Sequence, residues 1–442
     1  MTVIAFIVGV VLLVVGLAVS IALHELGHLL PAKRFGVRVG QYMIGFGPTL
    51  WSRRIGDTEY GVKALPLGGY ISMAGMYPPS PRSAHAAAGD ATETEGKAGG
   101  GFFAAMVQDA RTANDETLAA GEGKRFFYEL PVWKRIVIML GGPFMNLVLA
   151  IILFGIVFSG IGIQTATTTI ASVSACVLPA GSTQTECTAD DPASPAAAAG
   201  LQPGDVIVSV DGTAVSSFDE ASAIIQAAPD QTLPIVVERA GQQQSLQVTP
   251  MLAERQVQDA DGTIRTAEVG FVGMTAAVEY VRQPLWEGPQ AAFTQTQQVA
   301  GIMWQLPVRV YQTAVGLVTG QERSADSPLS VVGAGRLAGE VAATDAPILN
   351  RVATLLGLLA ALNVALFVFN LIPLLPLDGG HVVVALWDGV KRAWARLFRR
   401  PPPRPVDATR LVPATFVVVV ALIGMSGVLI LADLINPVQL LG

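Results

Sequence analysis

The sequence predicts a polytopic α-helical membrane protein with four transmembrane helices. Hydrophobic residues make up 51% of the 442 residues and charged residues only 14%, whereas ordinary soluble domains carry about 25% charged residues. Four stretches contain no Asp, Glu, Lys or Arg and are long enough to cross a bilayer, which takes about 20 residues. These stretches are Thr2–Leu23, Ile136–Ile163, Val352–Leu377 and Leu411–Ala432.

The distribution of positive charge predicts the orientation of these spans. Thirteen Lys and Arg residues lie between Pro31 and Arg135 and seven between Leu377 and Leu411, while the longer segment 164–350 holds only seven. Connections rich in Lys and Arg remain in the cytoplasm. We therefore expect the first and third connections to be cytoplasmic, and the second connection and both termini to be extracytoplasmic.

The first span ends in the motif His24-Glu25-Leu26-Gly27-His28. Residues four apart share one face of a helix, so that His24 and His28 can direct two imidazoles at one zinc ion. Glu25 would then lie beside the metal and handle the protons of a water molecule. The alternative interpretation is an amphipathic helix end with two hydrogen-bonded histidines.

A third zinc ligand is expected where the third span ends. Pro373 and Pro376 cannot lie in an ordinary helix interior, which predicts a break at this point. Broken backbone at membrane depth is tolerated where it lines a protein cavity. Asp378 would complete a ligand set of two histidines and one carboxylate, and this set would leave one position on the zinc ion for water. Alternatively, Asp378-Gly379 is a turn at a helix exit. His381 is expected to support the site rather than to bind the metal.

Two further polar residues lie in contrasting surroundings. Asn370 is an amide in an apolar helix, where it would either form a hydrogen bond between helices or hold the substrate backbone. His85 falls in residues 78–125, which are rich in Pro, Ala, Gly, Ser, Thr, Asp and Glu. This composition predicts a disordered cytoplasmic insert, so that His85 is rejected as a ligand.

The motifs together resemble those of the site-2 protease family of intramembrane zinc metallopeptidases. The resemblance rests on HELGH, on Gly142-Pro143-Phe144-Met145-Asn146 in the second span, and on the NLIPLLPLDGGH segment that begins at Asn370. It implies one catalytic Zn²⁺ ion held by three ligands, with Glu25 as the general base and Asn370 positioning the substrate. The implied zinc ligands are His24, His28 and Asp378.

The resemblance also implies partners and a location. Within the family the chain is similar to the bacterial branch that cleaves membrane-embedded anti-sigma factors. The resemblance implies a multi-pass protein of the bacterial cell membrane. Its expected substrates are single-pass membrane proteins, which it would cleave after a first extracytoplasmic cut. The lipid bilayer is the other expected partner, and no nucleic acid is expected. The active site is expected near the cytoplasmic face.

Two segments outside the spans also match this family. Residues 36–77 carry short strand patterns punctuated by Gly and Pro, and in the family this segment is a membrane-associated β-hairpin that offers an edge to the substrate. The alternative is a hairpin that only rests on the bilayer. Residues 164–276 contain the string that begins at Ala199 and ends at Gly212, which looks like an extracytoplasmic α+β PDZ domain. Such a domain would bind a peptide or substrate tail as an added strand, or act as a steric filter.

The two cysteines, Cys176 and Cys187, are both expected on the extracytoplasmic side, where disulfides persist. Pro179 and Gly181 between them favour a chain reversal. We therefore expect a disulfide that closes a small loop, and the alternative is a pair of unconnected thiols.

The expected organisation follows from these assignments. The segments are a first transmembrane helix at 1–35, the β-hairpin segment at 36–77, the insert at 78–125, a second transmembrane helix at 131–163, the PDZ domain at 164–276, amphipathic helices at 277–350, a third transmembrane helix at 351–390, a basic cytoplasmic loop at 391–410 and a fourth transmembrane helix at 411–436.

Two other functional classes fit the sequence less well. A catalytically silent PDZ scaffold or membrane chaperone of the same fold would not need an intact HELGH motif together with Asp378. A metal or solute transporter would carry polar residues along several spans, whereas here they cluster at one depth. The sequence therefore favours a polytopic zinc endopeptidase.

Overall fold

The computed structural model of the protein describes residues 2–76, 125–177, 187–188, 191–258, 264–321, 323, 327–401, 403, 405–406 and 411–438. The expected insert at 78–125, with His85, lies outside the described residues except for Arg125. Within the described part the α-helices are α1 (Thr2–Arg34), α2 (Val132–Gly155), α3 (Pro195–Ala198), α4 (Phe218–Gln226), α5 (Glu287–Met303), α6 (Leu306–Thr319), α7 (Val331–Ala343), α8 (Ile348–Asn370), α9 (Asp378–Leu397) and α10 (Val412–Ile435). The strands are β1 (Val39–Ile55), β2 (Thr58–Met73), β3 (Ile163–Val173), β4 (Val206–Val210), β5 (Thr213–Ala214), β6 (Leu233–Arg239), β7 (Gln242–Val248), β8 (Met251–Gln258), β9 (Ile264–Phe271) and β10 (Met274–Val281).

The chain divides into two compact units. The membrane unit comprises Met1–Gly160 and Pro284–Gly442, and the β unit comprises Ile161–Gln283. Among the residues that the structure describes, four helices are long and apolar enough to cross a membrane, with mean hydropathies from 2.4 to 3.0. The prediction of four membrane helices is therefore confirmed. They are Val3–Arg34, Val132–Ile161, Ile348–Asn370 and Val412–Ile435.

Two glycines bring the backbones of α1 and α2 into contact. A methyl group at Gly27 would overlap the carbonyl oxygen of Gly141, and one at Gly141 would overlap the carbonyl oxygen of Gly27. Membrane helices use small residues in this way because apolar lipid gives them no hydrophobic reason to associate, and close packing has to supply the attraction. The crossing lies inside the HELGH segment, so that α2 passes directly beside the two histidines.

A buried hydrogen bond joins α8 to α1. The side-chain nitrogen of Asn363 donates to Ser20 Oγ over 2.9 Å, and both residues are fully buried. The Ser20 hydroxyl in turn donates to the carbonyl of Gly16, also over 2.9 Å. In an apolar span such groups have to satisfy one another. The bond therefore fixes the rotation of α8 relative to α1.

The third predicted membrane span is divided into two helices. α8 ends at Asn370, residues 371–377 form turns, and α9 begins at Asp378. Pro373 and Pro376 lie in these turns, which is the break that their sequence positions predict. The glycines after Asp378 are needed here, because a methyl group at Gly379 would overlap the carbonyls of Leu371 and Ile372. The start of α9 is thereby packed onto the turn.

The strands β1 and β2 form more than the simple hairpin that the sequence predicts. Residues 41–44 pair on one side with residues 69–72 and on the other with residues 59–62. Each long strand therefore bends back, and the bend in β1 falls at Gly45 and Gly47, whose φ angles are +94° and +85°. Only glycine adopts such angles readily. The result is a small curled sheet rather than a two-stranded ribbon.

The β unit contains a sheet with the strand order β10-β3-β4-β6-β7, in which β5 also pairs with β4. Its core is built from alternating strand residues such as Val210, Ile235 and Val237, all fully buried. The expected helical segment at 277–350 is wrong at its start, because residues 277–281 belong to β10. That strand pairs with β3, and the local sequence does not reveal a partner so distant along the chain. Cys176 and Cys187 form the predicted disulfide.

A buried ion pair holds α9 against α2. Arg135 Nη1 donates to Asp388 Oδ2 over 3.1 Å, and both side chains are at least 96% buried. Asp388 Oδ1 also accepts from the backbone nitrogen of Val406 over 2.9 Å. Asp388 lies ten residues after Asp378, and Arg135 precedes Ile138 by three residues. The pair therefore sets the position of α9, and with it that of Asp378.

We expect Asp388→Ala to lower the free energy of unfolding by about 3–5 kcal/mol, because it leaves the Arg135 guanidinium buried without its carboxylate. The measurement is thermal unfolding of the purified protein in detergent. The matched control is the double variant Arg135→Met/Asp388→Leu, which removes both charges and should recover most of the loss. Unchanged unfolding of Asp388→Ala would show that the ion pair does not hold the two helices together.

Candidate metal centre

Three side-chain atoms converge where α1 and the start of α9 meet. His24 Nε2 lies 3.2 Å from His28 Nε2, and Asp378 Oδ2 lies 3.3 Å from His24 Nε2 and 3.4 Å from His28 Nε2. The structure thus brings together the three residues that the sequence suggests as ligands. Within the described residues they form the one group of His, Cys, Asp and Glu with atoms close enough to share a metal ion.

The dimensions of this group fit a zinc ion. Ligand atoms that bind tetrahedral zinc at about 2.0–2.1 Å lie about 3.3–3.4 Å from one another, which is the spacing found here. Asp378 Oδ2 is buried, and no hydrogen bond reaches it from any described residue. Three lone-pair-bearing atoms at this distance repel each other unless a cation lies between them. The donor set also matches the nitrogen and oxygen ligands that zinc prefers.

A backbone contact directs the ring of His28. Its Nδ1–H donates to the carbonyl of Ile138 in α2 over 2.7 Å, and the residue is 3% exposed. Because a neutral imidazole carries one proton, this bond leaves the Nε2 lone pair free to face the group. The contact between α1 and α2 therefore directs His28 Nε2 into the three-atom group.

Asn146 of α2 contacts Nδ1 of His24, as the carbonyl of Ile138 contacts Nδ1 of His28. Its side-chain amide lies 3.2 Å from His24 Nδ1, and Asn146 is 1% exposed. With Nε2 directed into the group, Nδ1 carries the proton and the amide oxygen of Asn146 has to accept it. A 180° rotation of the amide gives this arrangement and also gives the buried Asn146 Oδ1, otherwise without a partner in the described part of the chain, its donor.

Gly142, one turn before Asn146, leaves room for both imidazoles. A methyl group at this position would overlap His28 Nε2 and would lie 2.8 Å from His24 Cε1. The second span thus contributes a gap at Gly142 and a polar side chain at Asn146, four residues apart on one face. Neither role was predicted from the sequence, although both residues lie in the GPFMN segment, whose glycine and asparagine were the available signal.

The side chain of Glu25, a residue of α1, lies against the curled sheet. The residue is 7% exposed, and a methyl group built on Gly69 of β2 would lie 3.0 Å from Glu25 Cγ. The sheet is tied to the same helix by Tyr42, whose hydroxyl donates to the carbonyl of Ala22 over 2.7 Å. Burial raises the pKa of Tyr42 to about 12, so that this hydroxyl stays protonated. Backbone of β2 therefore passes directly beside the Glu25 side chain.

The remaining predicted residues lie outside the three-atom group. Asn370 is the last residue of α8, and its side-chain nitrogen donates to the carbonyl of Leu366 over 3.0 Å. His381 lies one turn into α9. The metal-ligand group contains neither of them.

Comparison with known families identifies the chain. Residues 12–399 match the model of peptidase family M50, a range that includes all four residues His24, Glu25, His28 and Asp378. The chain belongs to peptidase family M50, the site-2 proteases.

Individual relatives agree with this assignment. The chain is 33% identical over 447 residues to "Zinc metalloprotease Rip1" of Mycobacterium tuberculosis, covering 98% of this chain and 99% of the relative. It is 32% identical over 452 residues to the protein of the same name in Mycolicibacterium smegmatis, covering 98% of each. It is 28% identical over 407 residues to "Metalloprotease MmpA" of Caulobacter vibrioides, covering 88% of each. The protein is therefore a membrane zinc metalloprotease, and its cofactor is zinc.

We expect Asn146→Leu to weaken zinc binding by about 10–100-fold, the usual effect of removing a hydrogen-bond partner of a metal-bound histidine. Leucine keeps the volume but cannot accept the His24 Nδ1 proton. Zinc retention is measured against a competing chelator. Asn146→Asp keeps an acceptor and should bind zinc more tightly than Asn146→Leu.

The control for the loss of a buried amide is Asn363→Leu, which removes the bond to Ser20. This variant should lower thermal stability, and its folded fraction should retain zinc better than Asn146→Leu, because Asn363 contacts none of the three proposed ligands. Equal zinc retention in Asn146→Leu and the unaltered protein would show that Asn146 does not support His24.

Proposed function

We propose that the protein is an intramembrane endopeptidase that hydrolyses peptide bonds within or at the edge of the transmembrane segment of single-pass membrane proteins such as anti-sigma factors, after a first extracytoplasmic cut. The observation that carries this proposal is the position of the three ligand atoms. They lie at the end of a span whose first 22 residues after Met1 carry no charge, in a protease of family M50. A buried site at this depth is suited to a substrate that reaches it through the bilayer.

In this proposal His24, His28 and Asp378 hold the zinc ion, and Glu25 is the general base. A bound zinc ion would polarise the scissile carbonyl and lower the pKa of a water molecule. Glu25 takes the proton of that water and then delivers it to the leaving amine. Burial among helices and the curled sheet excludes other water from the reaction. Asn370, at the end of α8, is proposed to position the substrate backbone.

The curled sheet supplies what a helical substrate lacks. A transmembrane helix hides its carbonyls in its own hydrogen bonds and has to be unwound before water can attack. β2 passes beside Glu25 at Gly69, and an unwound segment that pairs with a strand edge there regains its lost hydrogen bonds. Exposed apolar side chains on the sheet fit a position in the bilayer; they include Phe46, Leu50 and Trp51.

We further propose that the β unit is a PDZ domain that binds a peptide or substrate tail or filters substrates by size. A strand-rich unit whose core also includes residues of α4 and of the short helix α3 supports this. We propose the predicted orientation as well, with the zinc end of α1 near the cytoplasmic face and with both termini and residues 164–350 extracytoplasmic. The distribution of Lys and Arg supports it.

The assigned roles are separated by two variants. Glu25→Gln should abolish cleavage and retain zinc, because Glu25 is not a ligand. Asp378→Ala should lose both, because two histidines alone hold zinc weakly. The measurements are zinc content of the purified variants and the membrane-derived peptide fragments that their expression produces in cells. Glu279→Gln, at an exposed position of β10, is the control and should behave like the unaltered protein. Full zinc occupancy and normal cleavage in Asp378→Ala would remove Asp378 from the site.

A further inference from the structure

A cleft of about 940 Å³ opens where α1 ends. One wall is the segment from Lys33 to Val39, which runs from the last turn of α1 to the start of β1. The facing wall is the turn of the curled sheet, from Ile55 to Thr58. Arg125 completes the lining. The cleft is separate from the metal centre, whose ligands do not line it, and neither the protease family nor the proposed function assigns it a role.

The cleft is strongly basic. Lys33, Arg34, Arg38 and Arg125 line it, and Asp57 is the one acidic side chain among the lining residues. None of the ion pairs between described residues includes Arg34, Arg38 or Arg125. Four cationic side chains against one carboxylate leave the cavity with an excess of positive charge, and these like charges repel one another. An anion bound between them would relieve this repulsion.

An aromatic cluster places the cleft at the level of the lipid headgroups. Phe35, which lines the cleft, packs edge to face against Trp133 with ring centroids 5.5 Å apart. Lys134 Nζ lies 5.0 Å from the Phe35 ring centroid and 5.4 Å from that of Trp133. Trp133 is 57% exposed. Exposed tryptophan beside lysine at the start of a membrane helix is typical of the membrane–water interface.

The length of α1 also places the cleft at the level of the lipid headgroups. Its 33 residues extend about 50 Å at 1.5 Å per residue, whereas a bilayer including its headgroups is about 40–45 Å thick. A helix that enters at one surface therefore brings Lys33 and Arg34 to the headgroups of the opposite leaflet. These two side chains would then lie among phosphates rather than in bulk water.

We infer that this cleft binds the headgroup of an anionic phospholipid, with Arg34, Arg38 and Arg125 as the phosphate ligands. Guanidinium groups recognise phosphate through paired, charge-assisted hydrogen bonds, and basic pockets beside membrane helices are known to take such headgroups. The membrane level of the cleft favours a lipid over a soluble phosphate. Lys33 contributes charge but is already engaged, since its Nζ donates to Tyr60 over 2.6 Å.

The bound headgroup would join two parts of the protein that position the substrate. Thr58, at the end of the sheet that lines the cleft, donates to the carbonyl of Val39 over 2.9 Å, and the same sheet passes beside Glu25 at Gly69. A phosphate between Arg34 and Arg38 near the turn at Ile55–Thr58 would stabilise this contact. Lipid binding itself does not depend on cleavage, so that it can be tested on the Glu25→Gln protein.

The test uses the full-length protein in detergent with short-chain phosphatidylglycerol, phosphatidylcholine or inorganic phosphate as the probe, and native mass spectrometry as the readout. The unaltered protein should retain phosphatidylglycerol in preference to phosphatidylcholine. The variant Arg34→Gln/Arg38→Gln/Arg125→Gln should lose this retention by on the order of a hundredfold, since each cation contributes about a fivefold effect near an anionic lipid. Zinc content and thermal unfolding report whether the variant is folded.

The matched control is Arg53→Gln/Arg54→Gln, which removes charge from the same sheet outside the cleft and should keep phosphatidylglycerol bound. Equal retention in the cleft variant and the unaltered protein would overturn the inference. So would equal loss in the control variant, which would mean that overall charge decides binding. Saturation by inorganic phosphate that displaces phosphatidylglycerol would assign the cleft to a soluble anion instead. If the triple variant fails to fold, Arg38→Gln alone should still show a reduced preference.

Discussion

The close crossing of α1 and α2 at Gly27 and Gly141 is the contact on which the rest of the site depends. It allows the carbonyl of Ile138 to accept the His28 Nδ1 proton and brings Asn146 beside His24. Larger residues at the crossing would separate the helices, and both contacts would then lengthen beyond hydrogen-bond distance. Zinc ligands need an orientation as well as a position. In this protein a backbone contact between two glycines provides it.

Polar contacts between the spans then fix the position of Asp378, the proposed third ligand. Asn363 and Ser20 align α8 with α1, and Arg135 and Asp388 hold α9 against α2. Single hydrogen bonds between membrane helices contribute only about 0.6 kcal/mol on average, and a buried ion pair is weak evidence for stability. Their value here is geometric, because each contact removes one way for Asp378 to move away from the histidines. The glycines that follow Asp378 pack its helix onto the preceding turn.

Much of this arrangement could be predicted from local sequence, because the deciding signals are short. Charge-free stretches predict the spans, the spacing of His24 and His28 predicts a shared face, and Pro373 and Pro376 predict the break before Asp378. Contacts between distant segments were not predictable in the same way. The pairing of β10 with β3, the doubled pairing of residues 41–44 and the ion pair of Arg135 and Asp388 join positions that no local pattern connects. Asn146 belongs to a motif that the sequence shows, but its role depends on His24, which lies 122 residues away in the chain.

We propose that two imidazoles and one carboxylate hold a zinc ion where α1, α2 and α9 meet. X-ray absorption at the zinc edge of the purified full-length protein is the decisive measurement. We expect four light-atom neighbours at about 2.0–2.1 Å, with the outer-shell scattering of two imidazole rings. Scattering from fewer than two imidazoles, or from six oxygen neighbours, would contradict it.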